Sequence, residues 1–194
     1  MGKDRLAAFS DGVVAILITI MVLELKLPVG SDWTALSSVA PSFASYVISF
    51  VYLGIYWNNH HHLLHTVARV DGLILWANLH LLFWLSLIPA ATAWMGLNLL
   101  APVPTAVYGA ALLMPAIAYF LLQLAIVHQQ GADSVLAKAL GRDVKGKISP
   151  VCYIAGIVLA FVNPWLSMAL YVLVAVMWLV PDRRIENALR SAPE

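Results

Sequence analysis

Charged residues are scarce in this chain: Asp, Glu, Lys and Arg make up 11% of its 194 residues, against about 25% in a typical soluble domain. Hydrophobic residues make up 62%, and the mean hydropathy is +0.86. This composition leaves too little polar surface to cover a soluble globule. The net charge of +1 gives no reason to expect a nucleic-acid partner. The composition therefore predicts an integral membrane protein.

The sequence also lacks a cysteine pair, a signal-peptide cleavage site and an internal repeat. The single cysteine, Cys152, excludes an intramolecular disulfide and lies in an apolar run, where it is expected to pack. No small-residue cleavage site follows the first apolar run, which is longer than the core of a signal peptide. No internal repeat is present. Because many transporters carry two repeated halves around a midplane site, its absence favours a pore made by several identical chains around an axis.

Apolar runs of about 20 residues are long enough to span a bilayer as helices, and the chain contains six. They cover residues 7–28, 41–63, 73–96, 104–128, 147–162 and 164–181. The last two runs are short, and Asn163-Pro164 between them predicts a tight turn. A single helix of about 30 residues is the alternative. The prediction is an all-α membrane protein with six transmembrane helices in one domain, residues 1–194.

The basic residues predict the orientation of these spans. With the N-terminus in the cytoplasm, ten of the eleven Lys and Arg fall on the inner side, and only Lys26 falls outside. The ten are Lys3, Arg5, Arg69, Lys138, Arg142, Lys145, Lys147, Arg183, Arg184 and Arg190. By the positive-inside rule, both termini are expected in the cytoplasm of a multi-pass protein of the cell membrane.

The first run carries an apolar stripe. At about 100° per residue on a helix, one face collects Phe9, Gly12, Ile16, Thr19, Ile20, Leu23 and Leu27. A helix that faces lipid shows the same pattern. Ser10 and Asp11 point away from the stripe, however, and an aspartate within a bilayer helix is costly. Asp11 is therefore expected to pack among helices, which leaves the stripe for a pore axis or a subunit contact.

Two segments carry a resemblance to a known family. The string FSDGVVAILITIMVLELKLP, residues 9–28, resembles the signature of bacterial members of the transmembrane protein 175 family of potassium channels. The string YWNNHHHLLHTVARVDGLILWANLHLLFWLSLIPAAT, residues 56–92, is similar to that family's second and third helices. The last three runs match only in number and hydrophobicity. The resemblance implies a homotetramer in the lipid bilayer, with a central pore lined by helix one and permeable to potassium and other monovalent cations.

The resemblance also implies roles for residues of the first helix. Ile16 would form the pore constriction, followed by Ile20 and Leu23. A ring of isoleucines can block flow by dewetting. Thr19 would contribute to selectivity, although a helical threonine can instead bond a backbone carbonyl one turn earlier, here that of Ala15. No glycine-rich carbonyl filter is expected, because the nearest string, residues 105–109, contains one glycine and opens an apolar run.

An inter-helix network is implied at the cytoplasmic side. Arg5, Ser10 and Asp11 match the family's Arg-x-x-x-Phe-Ser-Asp element, and His60 and His61 would hydrogen-bond to its Ser-Asp part. The chain departs from the family pattern at two places, residues 62–64 and 89–92, and neither touches the stripe. The departures leave the details of the inner network and of the outer mouth open.

The histidines also allow a different interpretation. His61 and His65 lie four residues apart, and His62 and His65 lie three apart, so either pair can face one metal ion on a helix. Metal sites usually need a third or fourth ligand, for which Asp71 and His80 are candidates only through folding. There is no His-Glu-x-x-His motif. Two alternatives therefore stay open. One is a membrane metalloprotein or enzyme with histidine ligands, and the other is a monomeric transporter. The preferred interpretation is a potassium channel, for which no catalytic residue, metal or cofactor is expected.

A few other polar and aromatic residues have an expected place. Asn78, in the middle of the third run, is expected to bond another helix, while the role of His80 stays open. Glu24 is either an interfacial charge or part of an outer vestibule that attracts cations. Six tryptophans lie near the ends of runs or a turn inward, as in an interfacial aromatic belt. They are Trp33, Trp57, Trp76, Trp94, Trp165 and Trp178.

Overall fold

The structure, a computed structural model, describes residues 2–98, 101–131, 134, 136–137 and 144–179. Every regular element within these ranges is a helix. The helices are α1 (Lys3–Leu23), α2 (Trp33–Ser38), α3 (Ala40–His65), α4 (Gly72–Leu85), α5 (Ile88–Leu97), α6 (Pro102–Gln130), α7 (Val144–Leu159) and α8 (Pro164–Leu179). The predicted all-helical class is confirmed. The basic residues Lys138, Arg142, Arg183, Arg184 and Arg190 lie outside the described residues.

Three helical stretches of the described chain are long and apolar enough to cross a membrane: Lys3–Leu23, Gly72–Leu97 and Pro102–Gln130. The helix Pro164–Leu179 is apolar but shorter. α3 has 26 residues, and its serines, tyrosines and histidines reduce its apolar character. The lengths and compositions agree with a multi-pass membrane protein.

The third predicted run is broken in the structure. α4 ends at Leu85 and α5 begins at Ile88, with a turn at Ser86 and Leu87. Pro89 occupies the first turn of α5, a position where its missing N–H costs nothing because that group has no partner within the helix. The Ser86 hydroxyl donates to the carbonyl of Phe83 over 2.6 Å. The run therefore continues as two helical segments rather than one.

The last two runs form a hairpin, as predicted. α7 ends at Leu159, α8 begins at Pro164, and the two helices pack against each other. The side chain of Asn163 accepts a hydrogen bond from the backbone N–H of Trp165 over 3.0 Å. This bond satisfies one of the free N–H groups at the start of α8.

Close packing in the second half of the chain depends on small residues. The ring of Tyr171, fully buried on α8, lies against Gly109 of α6 and Gly156 of α7. A Cβ atom added at either glycine would overlap this ring. In a bilayer, helix association rests on such packing and on hydrogen bonds, because lipid tails are as apolar as the side chains. The two glycines therefore set how closely α6, α7 and α8 approach.

Candidate functional site

Helix α1 has two distinct faces. The buried face packs on α3, α4 and α5 and consists of Leu6, Ser10, Val14, Leu17 and Met21. The opposite face carries Ile16, Ile20 and Leu23, which are 58%, 40% and 81% exposed. Large aliphatic side chains are thus presented along one side of a helix whose other side is fixed to the rest of the chain. This face matches the stripe expected from the sequence.

The stripe ends earlier than expected. α1 stops at Leu23, so Leu27 lies in the irregular segment that follows and not on the helix. Two residues prevent a helix from continuing through this segment: Pro28 disfavours helical geometry at Leu27, the residue before it, and Gly30 has a φ of +125°, which only glycine adopts readily. The candidate pore face therefore runs from Phe9 to Leu23.

Thr19 lies on the exposed face of α1. Its hydroxyl donates to the carbonyl of Ile16 over 2.8 Å, one residue later than the Ala15 carbonyl named as the alternative. A hydroxyl has one hydrogen and two lone pairs. Because the hydrogen is directed to the helix backbone, the lone pairs of Thr19 Oγ1 stay available to a cation.

A buried chain of hydrogen bonds joins three helices behind this face. Asn78 of α4 donates from Nδ2 to Ser10 Oγ of α1 over 3.0 Å. The Oδ1 atom of Asn78 lies 2.6 Å from Nε2 of His60 on α3, so Nε2 carries the hydrogen and donates. The Ser10 hydroxyl donates in turn to the carbonyl of Leu6 over 2.9 Å. All three side chains are buried, and the buried face of α1 is thereby tied to α4 directly and to α3 through Asn78.

Asp11 has a different partner. The indole Nε1–H of Trp57, on α3, donates to Asp11 Oδ1 over 2.9 Å. Asp11 is half-buried and Trp57 is 46% exposed, so this second link between α1 and α3 lies at the edge of the packed core. The sequence placed Trp57 only in an aromatic belt. No pattern in the sequence pairs the two residues, which lie 46 positions apart.

Two residues of the expected network lie apart from it. Within the described chain, neither Arg5 nor His61 hydrogen-bonds to Ser10 or Asp11. Arg5 is exposed in the first turns of α1. His61 follows His60 by about 100° around α3, which directs its ring outward, and its Nε2 lies 3.1 Å from Nε2 of His65.

The side chains considered as further metal ligands have other partners. Asp71 accepts the backbone N–H of Ile74 over 2.9 Å and so caps α4. His80 Nε2 accepts the indole N–H of Trp84 over 2.8 Å. Among the residues that the structure describes, no group of three or more His, Cys, Asp or Glu is placed to hold a metal ion. A resident metal centre with three or four protein ligands therefore has no support in this part of the chain.

Comparisons with known proteins agree on one family. Residues 5–89 match the family described as "Endosomal/lysosomal potassium channel TMEM175". A potassium channel of Chryseobacterium sp. (strain P1-3) is 54% identical over 98% of this chain and 100% of its own length. A potassium channel of Streptomyces collinus is 33% identical over 91% of both chains. The crystal structure of a lysosomal potassium-selective channel TMEM175 homolog from Chamaesiphon minutus superposes with a TM-score of 0.79 at 30% identity, covering 92% of this chain and 96% of that one.

Proposed function

We propose that this chain, which belongs to the TMEM175 family, is a potassium channel whose pore is lined by α1 of each subunit. Relatives that span the whole chain are named potassium channels, and the solved relative is described as potassium-selective. The family and the relatives are channels, so the protein is not an enzyme. The observation that carries the pore assignment is the exposed aliphatic face of α1 lying opposite a face that buried polar bonds hold in place.

The assembly proposed is a homotetramer around a central axis. Six helical crossings are available if α4 and α5 form one crossing: α1, α3, α4 with α5, α6, α7 and α8. An even number agrees with both termini in the cytoplasm of a cell-membrane protein. In this arrangement the Ile16 face of α1 points to the axis, and its Ser10 face points to α3 and α4.

A pore role explains why α1 is held by polar contacts. Lipid-facing helices need only an apolar surface, whereas a pore wall must keep one rotation about its own axis. The Ser10–Asn78–His60 bonds and the Asp11–Trp57 bond fix that rotation from behind. Polar bonds between membrane helices are modest singly, about 0.6 kcal/mol on average, but each one is lost if α1 rotates. The network thus favours the one rotation of α1 in which Ile16, Ile20 and Leu23 point to the pore axis.

The constriction proposed is a set of aliphatic rings at Ile16, Ile20 and Leu23. A narrow ring of aliphatic side chains blocks ions by excluding water, so these rings close the pore. When the pore is open, the same rings form its narrowest part. Thr19 lies between the first two rings and offers hydroxyl lone pairs. We assign selectivity to this threonine layer, since a partly dehydrated cation needs oxygen ligands there.

The purified chain in liposomes tests the function. With potassium inside, an impermeant cation outside and a protonophore that lets protons enter to balance the charge, protein-containing liposomes should release potassium faster than empty liposomes, and sodium should move more slowly than potassium. The mass of the protein–detergent complex, with the detergent subtracted, should equal four chains of 21.1 kDa. Potassium release at the rate of empty liposomes would refute the channel. A monomeric mass with potassium flux would refute only the shared pore.

A further inference from the structure

The last two turns of α3 carry a histidine pair that the proposed pore does not use. His61 and His65 are both exposed, and their rings stand at 72° with centroids 4.5 Å apart. The two Nε2 atoms share a hydrogen bond of 3.1 Å, in which one ring donates and the other accepts. His62 is half-buried, with its ring centroid 5.7 Å from that of His61.

The distance between the two nitrogens suits a shared metal ion. A zinc-like ion binds imidazole nitrogen at about 2.05 Å. Two nitrogens on one such ion lie about 2.9 Å apart when the angle at the metal is about 90° and about 3.3 Å apart at the tetrahedral angle. The observed 3.1 Å falls between these values. The distance between the two nitrogens therefore has to change by no more than a few tenths of an ångström to form the chelate.

We infer that His61 and His65 form a reversible binding site for a divalent transition ion, such as Ni²⁺, Cu²⁺ or Zn²⁺. Imidazole suits these ions, whereas Mg²⁺ and Ca²⁺ prefer oxygen ligands. Water fills the remaining coordination positions, because both histidines are exposed. This two-ligand site differs from a resident metal centre, which would need three or four protein ligands. The C-terminal end of α3, at His65, adds a partial negative charge that favours a cation.

The site lies next to the contact that holds the pore helix. The ring of His61 lies beside that of Trp57, with centroids 6.2 Å apart, and the Trp57 N–H binds Asp11 of α1. A divalent ion at His61 therefore adds positive charge one helical turn along α3 from Trp57, whose N–H holds Asp11 of α1. Positive charge near a cation pathway opposes cation entry, so the bound ion should slow potassium flux. This effect on flux rests on the proposed function, whereas the binding does not.

Calorimetric titration of the full chain in detergent, purified without a histidine tag, tests the binding with Ni²⁺ as the probe. We expect one Ni²⁺ per chain. His61→Gln and His65→Gln should each weaken binding by at least about tenfold, because even partners of metal ligands contribute this much. His62→Gln is the matched control and should bind as the parent does. Among other ions, Cu²⁺ should bind more tightly than Ni²⁺, Mn²⁺ more weakly, and Mg²⁺ should give no heat.

His65 lies at the exposed last residue of α3, so its variant tests the site even if His61→Gln folds poorly. Parent-like Ni²⁺ affinity in His65→Gln would overturn the proposal. So would an equal loss of affinity in His62→Gln, or the absence of binding in the parent.

The potassium flux gives a separate result. Ni²⁺ should slow potassium release in the parent but not in His65→Gln, while a parent that binds Ni²⁺ yet releases no potassium would refute the channel function and leave the metal site intact.

Discussion

Asn78 and His60 share a buried hydrogen bond, with 2.6 Å between Oδ1 and Nε2. Because the same amide donates to Ser10, one side chain of α4 connects α1 with α3. Within a membrane, no water is available to hydrogen-bond a polar group that lacks a protein partner. The amide therefore favours the one rotation of α1 in which Ser10 faces inward and Ile16 faces outward.

Replacing Asn78 should loosen this arrangement. In Asn78→Leu, Ser10 loses the donor and His60 loses the acceptor, and an unsatisfied buried group costs about 1–3 kcal/mol. We expect a lower melting temperature and partial loss of the oligomer on size exclusion. Asn98→Leu is the matched control, because Asn98 is exposed and its side-chain amide donates to the carbonyl of Trp94 on its own helix. Equal melting temperatures for parent and Asn78→Leu would show that the network does not stabilise the fold.

Asp11 should matter for assembly more than for permeation. Asp11→Ala removes the acceptor of the Trp57 N–H, and hydrogen bonds to charged groups contribute about 1.5–3 kcal/mol. Since Asp11 is only half-buried, we expect a loss near the lower end of that range. Trp57→Phe removes the same bond from the other side and should lower stability to a similar degree. A stable Asp11→Ala oligomer with altered potassium-to-sodium selectivity would instead place Asp11 at the pore.

The all-helical membrane class and the two faces of α1 were predictable from sequence. Both depend on averages over many residues: a low content of charge, and an apolar stripe with Ser10 and Asp11 on the far side. The turn before Pro164 was also predictable, because proline restricts the residue before it and cannot continue a hydrogen-bonded turn.

Individual contacts were harder to predict, since they depend on rotations of about 100° per residue and on the packing of distant segments. His60 and His61 are neighbours in sequence, yet one ring is buried against Asn78 and the other is exposed beside His65. Asn78 was expected to bond some helix, but its two partners are 68 and 18 residues away. The break between α4 and α5 was missed because the apolar run itself is continuous through Ser86.

The glycines around Tyr171 make a separate prediction about packing. In Gly109→Ala, the new methyl group would overlap the Tyr171 ring and approach Ile157, and overpacking of this kind costs about 1–3 kcal/mol. Gly54→Ala is the control, because apart from the adjacent residues and the backbone of its own helix nothing lies within 4 Å of its added Cβ; it should be neutral or slightly stabilising. Adding Tyr171→Leu to Gly109→Ala should recover part of the lost melting temperature. If the double variant melts at the temperature expected from adding the two single effects, the overlap is not the cause.

The constriction proposed at Ile16 predicts a change in conduction. Ile16→Asn replaces a ring of aliphatic groups with amides, which wets the narrowest point and removes the dewetting barrier. Potassium release from liposomes should become faster, or its preference over sodium should change. Ala15→Ser, about a quarter turn away on α1, adds a polar group outside the stripe and should matter less. Parent-like flux in a correctly assembled Ile16→Asn tetramer would exclude Ile16 from the constriction.

Substitutions at Thr19 distinguish two roles of its hydroxyl group, binding a cation and bonding the helix backbone. In the structure the hydroxyl hydrogen is donated to the Ile16 carbonyl, which leaves the oxygen lone pairs for a cation. Thr19→Val keeps the shape and removes the oxygen, while Thr19→Ser keeps the oxygen and removes a methyl group. If the oxygen contributes about 0.5–1.5 kcal/mol to potassium over sodium, like an ordinary hydrogen bond, the permeability ratio should fall about twofold to tenfold in Thr19→Val. The ratio should stay close to that of the parent in Thr19→Ser.

The measurement is the reversal potential of reconstituted channels with potassium on one side and sodium on the other. An unchanged ratio in Thr19→Val would mean that the hydroxyl serves only the helix backbone, and selectivity would then have to come from the width of the aliphatic rings.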